Sequence, residues 1–197
     1  MPRKAEYTRK TNETNIAVAV CIDGKGISNI RTGIGFLDHM LELLARHGLF
    51  DLEVKADGDL RVDAHHTAED IGIVLGTALK EALGDKVSIK RYGTSFVPMD
   101  ETLAMVSIDL SGRPYLVYRG GILAAGISSE GFDFALVEEF FRAVAFNSGM
   151  TLHMEVLYGS NLHHVAEALF KAFARALREA SGIDAAIQGV LSTKGVL

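Results

Sequence analysis

The stretch DAHHTAED, residues 63–70, has a counterpart in NLHHVAEA, residues 161–168, and this pair decides how the chain is read. Each holds His-His-x-x-Glu with a helical pattern after it. Within a helix His65 and Glu69 stand four apart and His66 three before the same Glu, so the side chains share one edge of a turn. His163, His164 and Glu167 repeat the arrangement. Imidazole nitrogen with carboxylate oxygen is a ligand set for Mn, Fe or Zn. Adjacent histidines diverge by about 100° around a helix, so one helix start serves two metals, or one metal in each of two subunits. A lone His-x-x-x-Glu is more often a surface ion pair. Two copies at matching points weigh against that, as do four ring nitrogens for which a core has few partners.

Working outward, residues 35–83 and 136–180 run in parallel. Each begins with an amphipathic helical pattern and passes a glycine (Gly48, Gly149) into a short alternating strand. Each then turns at a second glycine (Gly58, Gly159), reaches His-His-x-x-Glu, and ends in an Ala/Leu-rich helix. The strand-like NIAVAVCID (15–23) precedes the first copy, and TLAMVSIDLSGRPYLVYRG (102–120) the second. With no Pro/Ser linker between them, two homologous α/β halves, about 1–92 and 93–197, are expected. They would form one compact unit, an α+β sandwich with sheet on one side and helices on the other.

Composition narrows the function classes. The 197 residues are 48% hydrophobic and 23% charged, as in a globular protein able to bury a core without disulfides. A net charge of −5 and the lack of a basic stripe give no reason to expect nucleic acid. The longest apolar run near the start, IAVAVCI, is too short for a membrane span and reads as a buried strand. One cysteine, Cys21, permits no internal disulfide and suits a reducing cytoplasm, where the chain is expected.

The repeat supplies further candidates. His39 lies 26 residues before His65, and Glu139 lies 24 before His163, so the two fall at nearly matching places. Asp38 beside His39 is a candidate partner for that imidazole. Glu139 reads equally as a solvated helix residue. His153, in TLHME, is a ligand or a lining residue, and His47 before Gly48 also reads as a cation at a helix C-terminus.

These residues resemble the imidazoleglycerol-phosphate dehydratase family of histidine biosynthesis over essentially the whole chain. The resemblance is carried, in order, by RTGIGFLDHMLELLARHG, DAHHTAEDIGIVLGTAL, RYG, PMDE, DLSGRPYL, NLHHVAEALFKAFARAL and the terminal STKG. It implies two half-domains of the ribosomal-protein-S5-like type, a homo-oligomer of 24 subunits, and active sites with two Mn²⁺ ions formed between subunits. It would make His39, His65, His66, Glu69, His163, His164 and Glu167 metal ligands. Many members read VEHFF where this chain reads VEEFF. Glu139 therefore stands where they have a histidine and is the favoured replacement ligand; a water or His153 are the alternatives.

The substrate implied is an imidazole bearing a phosphorylated three-carbon diol. By the resemblance its phosphate meets Arg91, Arg113, Lys171, Ser192, Thr193, Lys194 and Gly195, and the substrate also touches His39 and His47. Taken singly, each cation is more often a solvated one; Gly112 and Pro114 suggest a turn that aims Arg113. Dehydration without a carbonyl makes the imidazole the electron sink: an imidazolate held between two Mn²⁺ would expel hydroxide through a diazafulvene-like intermediate. Glu13 is the candidate acid/base or diol-positioning group, with Asp100 and Glu101 as weaker candidates that are expected to support the ligands or the fold instead. A di-metal hydrolase shares the ligands but needs no phosphate cluster. A non-catalytic metal-binding shell protein would bind metal and ignore the substrate.

Overall fold

Alternation builds the first sheet. In strand β2 (Thr14–Cys21) the residues Thr14, Ile16, Val18 and Val20 are buried, and their neighbours point the other way. It pairs with β1 (Lys4–Lys10) and β4 (Asp51–Gly58), and β4 pairs in parallel with β3 (Ser28–Arg31), giving the order β1-β2-β4-β3. Helix α1 (Gly35–Gly48) connects β3 to β4, and α2 (His65–Leu83) follows β4. In α1 the buried Leu37, Met40, Leu41, Leu44 and Ala45 make the apolar stripe that turns onto the sheet.

The second half repeats this topology. Strands β5 (Tyr92–Met99), β6 (Thr102–Asp109) and β7 (Tyr115–Arg119) are followed by a 3₁₀ turn at Gly121–Ala125 and a small hairpin, β8 (Ser128–Ser129) with β9 (Phe132–Asp133). Helix α3 (Leu136–Ser148), strand β10 (Thr151–Tyr158) and helix α4 (Leu162–Ser181) complete it, and the sheet order is β5-β6-β10-β7. Again one pair, β7 with β10, is parallel and the others are antiparallel. This computed structural model describes residues 1–125, 128–129 and 132–197.

The expected two-half α/β fold with mixed sheets is what the chain adopts, but the layering differs from a single sheet-and-helix sandwich. Helix α2 lies on β1 and β2 and also against α3, while α4 lies on β5 and β6 and also against α1. The helices thus form a shared middle, with one sheet outside each pair. The reason is burial. Helices α2 and α4 carry apolar residues around most of their circumference, so each needs a helix as well as a sheet to cover it. Close approach of α2 to α3 depends on two glycines. A Cβ at Gly72 would lie 2.6 Å from the Phe140 carbonyl oxygen, and one at Gly76 2.7 Å from that of Val144.

Polar ties hold the His-bearing helices in place. The Asp63 carboxylate accepts from the His65 N–H at 2.8 Å, and the Asn161 side chain accepts from the N–H groups of His163 (2.9 Å) and His164 (3.2 Å). Asp70, buried in the second turn of α2, accepts from Thr14 and from Arg9 (2.6 Å), joining the helix to β1 and β2. Both His-His pairs therefore sit in the first turn of a long helix whose start is pinned.

Candidate active site

Three of the expected ligands meet. His39 comes from α1, His163 and Glu167 from α4, and one donor atom of each lies within 4.8 Å of the others; no other group of three does so among the described residues. Glu167 Oε2 faces His163 Nε2 at 3.3 Å and His39 Nε2 at 3.9 Å. The other carboxylate oxygen accepts from the Lys171 ammonium one turn on. Burial opposes ionisation of Glu167, but the Lys171 hydrogen bond and charge, with the two imidazoles, outweigh it and hold the carboxyl below its usual range. Two imidazole nitrogens and one ionised oxygen converging on one point suit a divalent transition metal.

The second histidine of each pair turns away. The rings of His163 and His164 stand 6.4 Å apart at 88°, and those of His65 and His66 6.3 Å apart at 78°. His164 Nδ1 lies 2.7 Å from Glu101, whose carboxylate also accepts from the Asn161 N–H (2.9 Å). His66 Nδ1 lies 3.0 Å from Asp59, with Glu13 at 3.9 Å. The hydrogen bond to Asp59 raises the pKa of His66, that to Glu101 raises the pKa of His164, and the His164 bond in turn lowers that of Glu101. A carboxylate on Nδ1 leaves Nε2 directed outward, the orientation a metal needs. Asp59 had no motif to betray it in the sequence. Glu101 supports the His164 ring, a supporting place in keeping with its weaker candidacy for the proton step, and Asp100 reaches His164 Nε2 only at 3.9 Å.

The remaining candidates divide. His65 lines a cavity with Asp63 and Asp133, and Glu69 lies on the half-buried side of α2. Glu139, in the first turn of α3, is 3.7 Å from Arg142, which also pairs with Glu138. His153 is exposed on β10 between the buried Leu152 and Met154, so it points off the sheet face opposite the helices. It therefore does not join the histidine-bearing helices within the chain. Asp38 does not touch His39; it accepts from the Thr32 N–H (2.8 Å) and hydroxyl (2.5 Å), clamping the loop that enters α1.

Arg91, Arg113, Ser192, Thr193 and Lys194 do come together, around a groove of about 790 Å³. Asp109 orients Arg91 through two bonds, from Nε at 2.7 Å and from the terminal nitrogen at 3.1 Å, and keeps it charged. A third bond reaches the Leu191 carbonyl at 2.8 Å, fixing the C-terminal tail to the groove. Gly112, at φ 74, makes the turn before Arg113 in a conformation that favours glycine, and Gly195 does the same after Lys194. His47 and Lys171 lie elsewhere. His47 lines a separate cationic cleft with Lys90, Arg175 and Arg178, where burial and then the charges of Lys171 and Arg175 lower its pKa.

The comparisons with known proteins agree with this geometry. A family model described as imidazoleglycerol-phosphate dehydratase matches residues 32–177. The chain belongs to that family. It is 62% identical to the Acetivibrio thermocellus imidazoleglycerol-phosphate dehydratase over 197 residues, all of both chains. The Clostridium novyi relative is 60% identical, with 99% of this chain and 98% of that one covered. The crystal structure of the Staphylococcus aureus enzyme superposes with a TM-score of 0.78 at 45% identity, covering 91% of this chain and 99% of that one. That of the Pyrococcus furiosus enzyme, in complex with (S)-C348, gives 0.80 at 39%, covering 96% and 99%. Membership of this family makes the chain an enzyme, a lyase. Among the described residues no helix is long and apolar enough to cross a membrane.

Proposed function

We propose that the chain dehydrates D-erythro-imidazole-glycerol phosphate to imidazole acetol phosphate in L-histidine biosynthesis, with two Mn²⁺ ions per active site. The observation that carries the metal reading is the convergence of His39, His163 and Glu167, whose two nitrogens and one oxygen are a donor set that Mn²⁺ accepts. His65, His66, Glu69, Glu139 and His164 complete the ligand set. Bound there, Mn²⁺ supplies Lewis acidity to the substrate's ring nitrogens and favours the anionic ring.

The chain's own groups do the rest. Arg91, Arg113, Ser192, Thr193, Lys194 and the Gly195 backbone take the phosphate in the groove they share. Fixing that end would hold the diol carbons toward the histidine and glutamate ligands. The reaction breaks one C–O bond, releasing water, and moves one proton from carbon; Glu13, beside His66, is the proton carrier or diol-positioning group. The enol that remains becomes the ketone. Lys171 acts through its hold on Glu167, and His47 is a substrate contact as a neutral imidazole in its own cleft.

The phosphate groove contains no histidine, and the cavity lined by His65 contains none of the phosphate cations. This separation supports an active site assembled from neighbouring subunits in a homo-oligomer of 24. The two halves, joined near residue 92, are read as a duplication, and the half-buried free Cys21 suits the cytoplasm. The test is turnover of imidazole glycerol phosphate by chelator-stripped protein with and without Mn²⁺, with particle mass measured on the same samples. Metal-dependent product from a large assembly is expected. Metal uptake and assembly without turnover would sink the proposal.

A further inference from the structure

The segment joining α2 to β5 is strained and carries a buried charge. Among the described residues five non-glycine residues have positive φ, and three of them stand here: Lys86 (φ 57), Ser88 (φ 58) and Arg91 (φ 71). Such conformations persist where the surroundings over-determine them. Here the segment is tied to the C-terminal stretch that brings Ser192 and Lys194 to the groove. Ser88 donates through its N–H to the Gly189 carbonyl (2.7 Å) and through its hydroxyl to the Ile187 carbonyl (2.7 Å). Its own carbonyl accepts from the Asp184 N–H at 2.8 Å. Arg91, at the end of the segment, lines the groove itself.

Lys86 lies just beyond the end of α2 and is only 8% exposed. A lysine in such a place ordinarily keeps its ammonium in water. Its Nζ instead lies 3.8 Å from where a Cβ on Gly112 would stand, against the turn that carries Arg113 and outside the lining of the groove. Among the described residues the Lys86 ammonium makes no hydrogen bond and no ion pair. Asp109 is the carboxylate whose charge it feels, and both oxygens of Asp109 are already engaged by Arg91. Burial lowers the Lys86 pKa, the charges of Lys80 and Arg91 lower it further, and Asp109 works the other way. A buried ammonium without a partner destabilises the fold, so its place here points to an anion that arrives later.

Resting on the phosphate reading of the groove, we propose that Lys86 is a further positioning residue for the substrate. Its buried, unpaired ammonium charges the Gly112–Arg113 turn from outside the groove, and the bound phosphate is the anion that balances it. Asp109 offsets Arg91, so the excess positive charge that draws the dianion comes from Arg113, Lys194 and Lys86. Lys86 touches no phosphate oxygen. It acts through its field, which salt screens little when the charge is buried. The phosphate keeps its charge throughout the dehydration, so substrate and transition state gain alike and the effect falls on KM rather than kcat.

The assay compares intact Mn²⁺-loaded wild type, Lys86→Met and Lys86→Arg by KM, kcat, competition from inorganic phosphate, and Tm. Lys86→Met removes the charge at similar length. It should raise KM and the phosphate inhibition constant together by about tenfold, the scale of a partly screened charge–charge attraction, with kcat kept. Its Tm without phosphate should equal or exceed that of wild type, because an unpaired buried charge is gone. Lys86→Arg keeps the charge and should hold KM within about threefold of wild type. A lower Tm or failure to fold in Lys86→Met would make Lys86 a clasp on the end of α2 and overturn the proposal. An unchanged KM, or an equal rise in both variants, would overturn it too while leaving the groove's phosphate reading intact. If inorganic phosphate fails to compete in wild type, both fall.

Discussion

His39 Nε2 and Glu167 Oε2 face each other at 3.9 Å across the junction of the two halves, one from α1 and the other from α4. With His163 at 3.3 Å from the same oxygen, the carboxylate is the hinge of the trio. Glu167→Gln keeps the shape but removes the charge. It should lower Mn²⁺ affinity and turnover by about 100-fold or more, because a ligand costs at least what an outer partner does. Direct Mn²⁺ titration of the folded variant checks this; unchanged affinity would show that the trio is an ion-pair cluster alone.

Asp59 and Glu101 orient His66 and His164 through Nδ1. Asp59→Asn and Glu101→Gln should each weaken Mn²⁺ binding by roughly 10–100-fold. The circular dichroism spectrum should stay that of wild type. Equal metal affinity in both variants would remove the orienting role.

Arg113 and Lys194 border the groove, and among the described residues neither side chain is committed to a hydrogen bond. Charge-assisted hydrogen bonds contribute about 1.5–3 kcal/mol, so Arg113→Ala should raise KM for the phosphorylated substrate by about tenfold or more. Inorganic phosphate should compete with substrate in wild type and compete less in the variant. A fall in kcat with KM untouched would place Arg113 outside phosphate binding.

Arg3 ties the first strand to the end of α4, bonding Asp23 at 2.6 Å and the Ser181 carbonyl at 2.7 Å. The hydrogen bond from Arg3 lowers the pKa of Asp23 from 3.8 to about 2. A carboxyl depressed on folding stabilises the fold fully above its unfolded pKa and loses that contribution as pH falls through the folded one. The loss should therefore run from about pH 4 to about pH 2. Since Asp23 is more than one-third exposed, screening limits its contribution to ~1 kcal/mol or less. Chemical denaturation of Asp23→Asn against wild type should differ at pH 6 and converge below pH 2.

Gly76 brings α2 onto the backbone of α3. Gly76→Leu should cost about 1–3 kcal/mol by overpacking, read as a lower Tm.

Much of this was legible in the chain itself, for identifiable reasons. Alternation in β2 and β6 and the 3.6-residue stripe of α1 are local signals, so elements and their repetition could be read directly. The His-His-x-x-Glu motifs are likewise local, because a helix fixes the spacing of its own ligands. Other roles were not legible. Asp59 is seven residues from His66, and Glu101 is 63 from His164, with nothing in the intervening pattern to pair them. Asp38 beside His39 looked like its partner but bonds Thr32, because successive helical residues point about 100° apart.

The sequence by itself determined the two-half α/β organisation, the histidine pairs at two helix starts, and the cations that end up around one groove. These rest on periodicity, capping residues and motif order, which need no distant contact. Only the tertiary structure decided that the helices form a shared middle, that Glu167 is met by a histidine from the other half, and that His153 points off the opposite face. Each of those depends on how one helix packs against another, and that packing is settled by apolar faces and glycine contacts far apart in the chain.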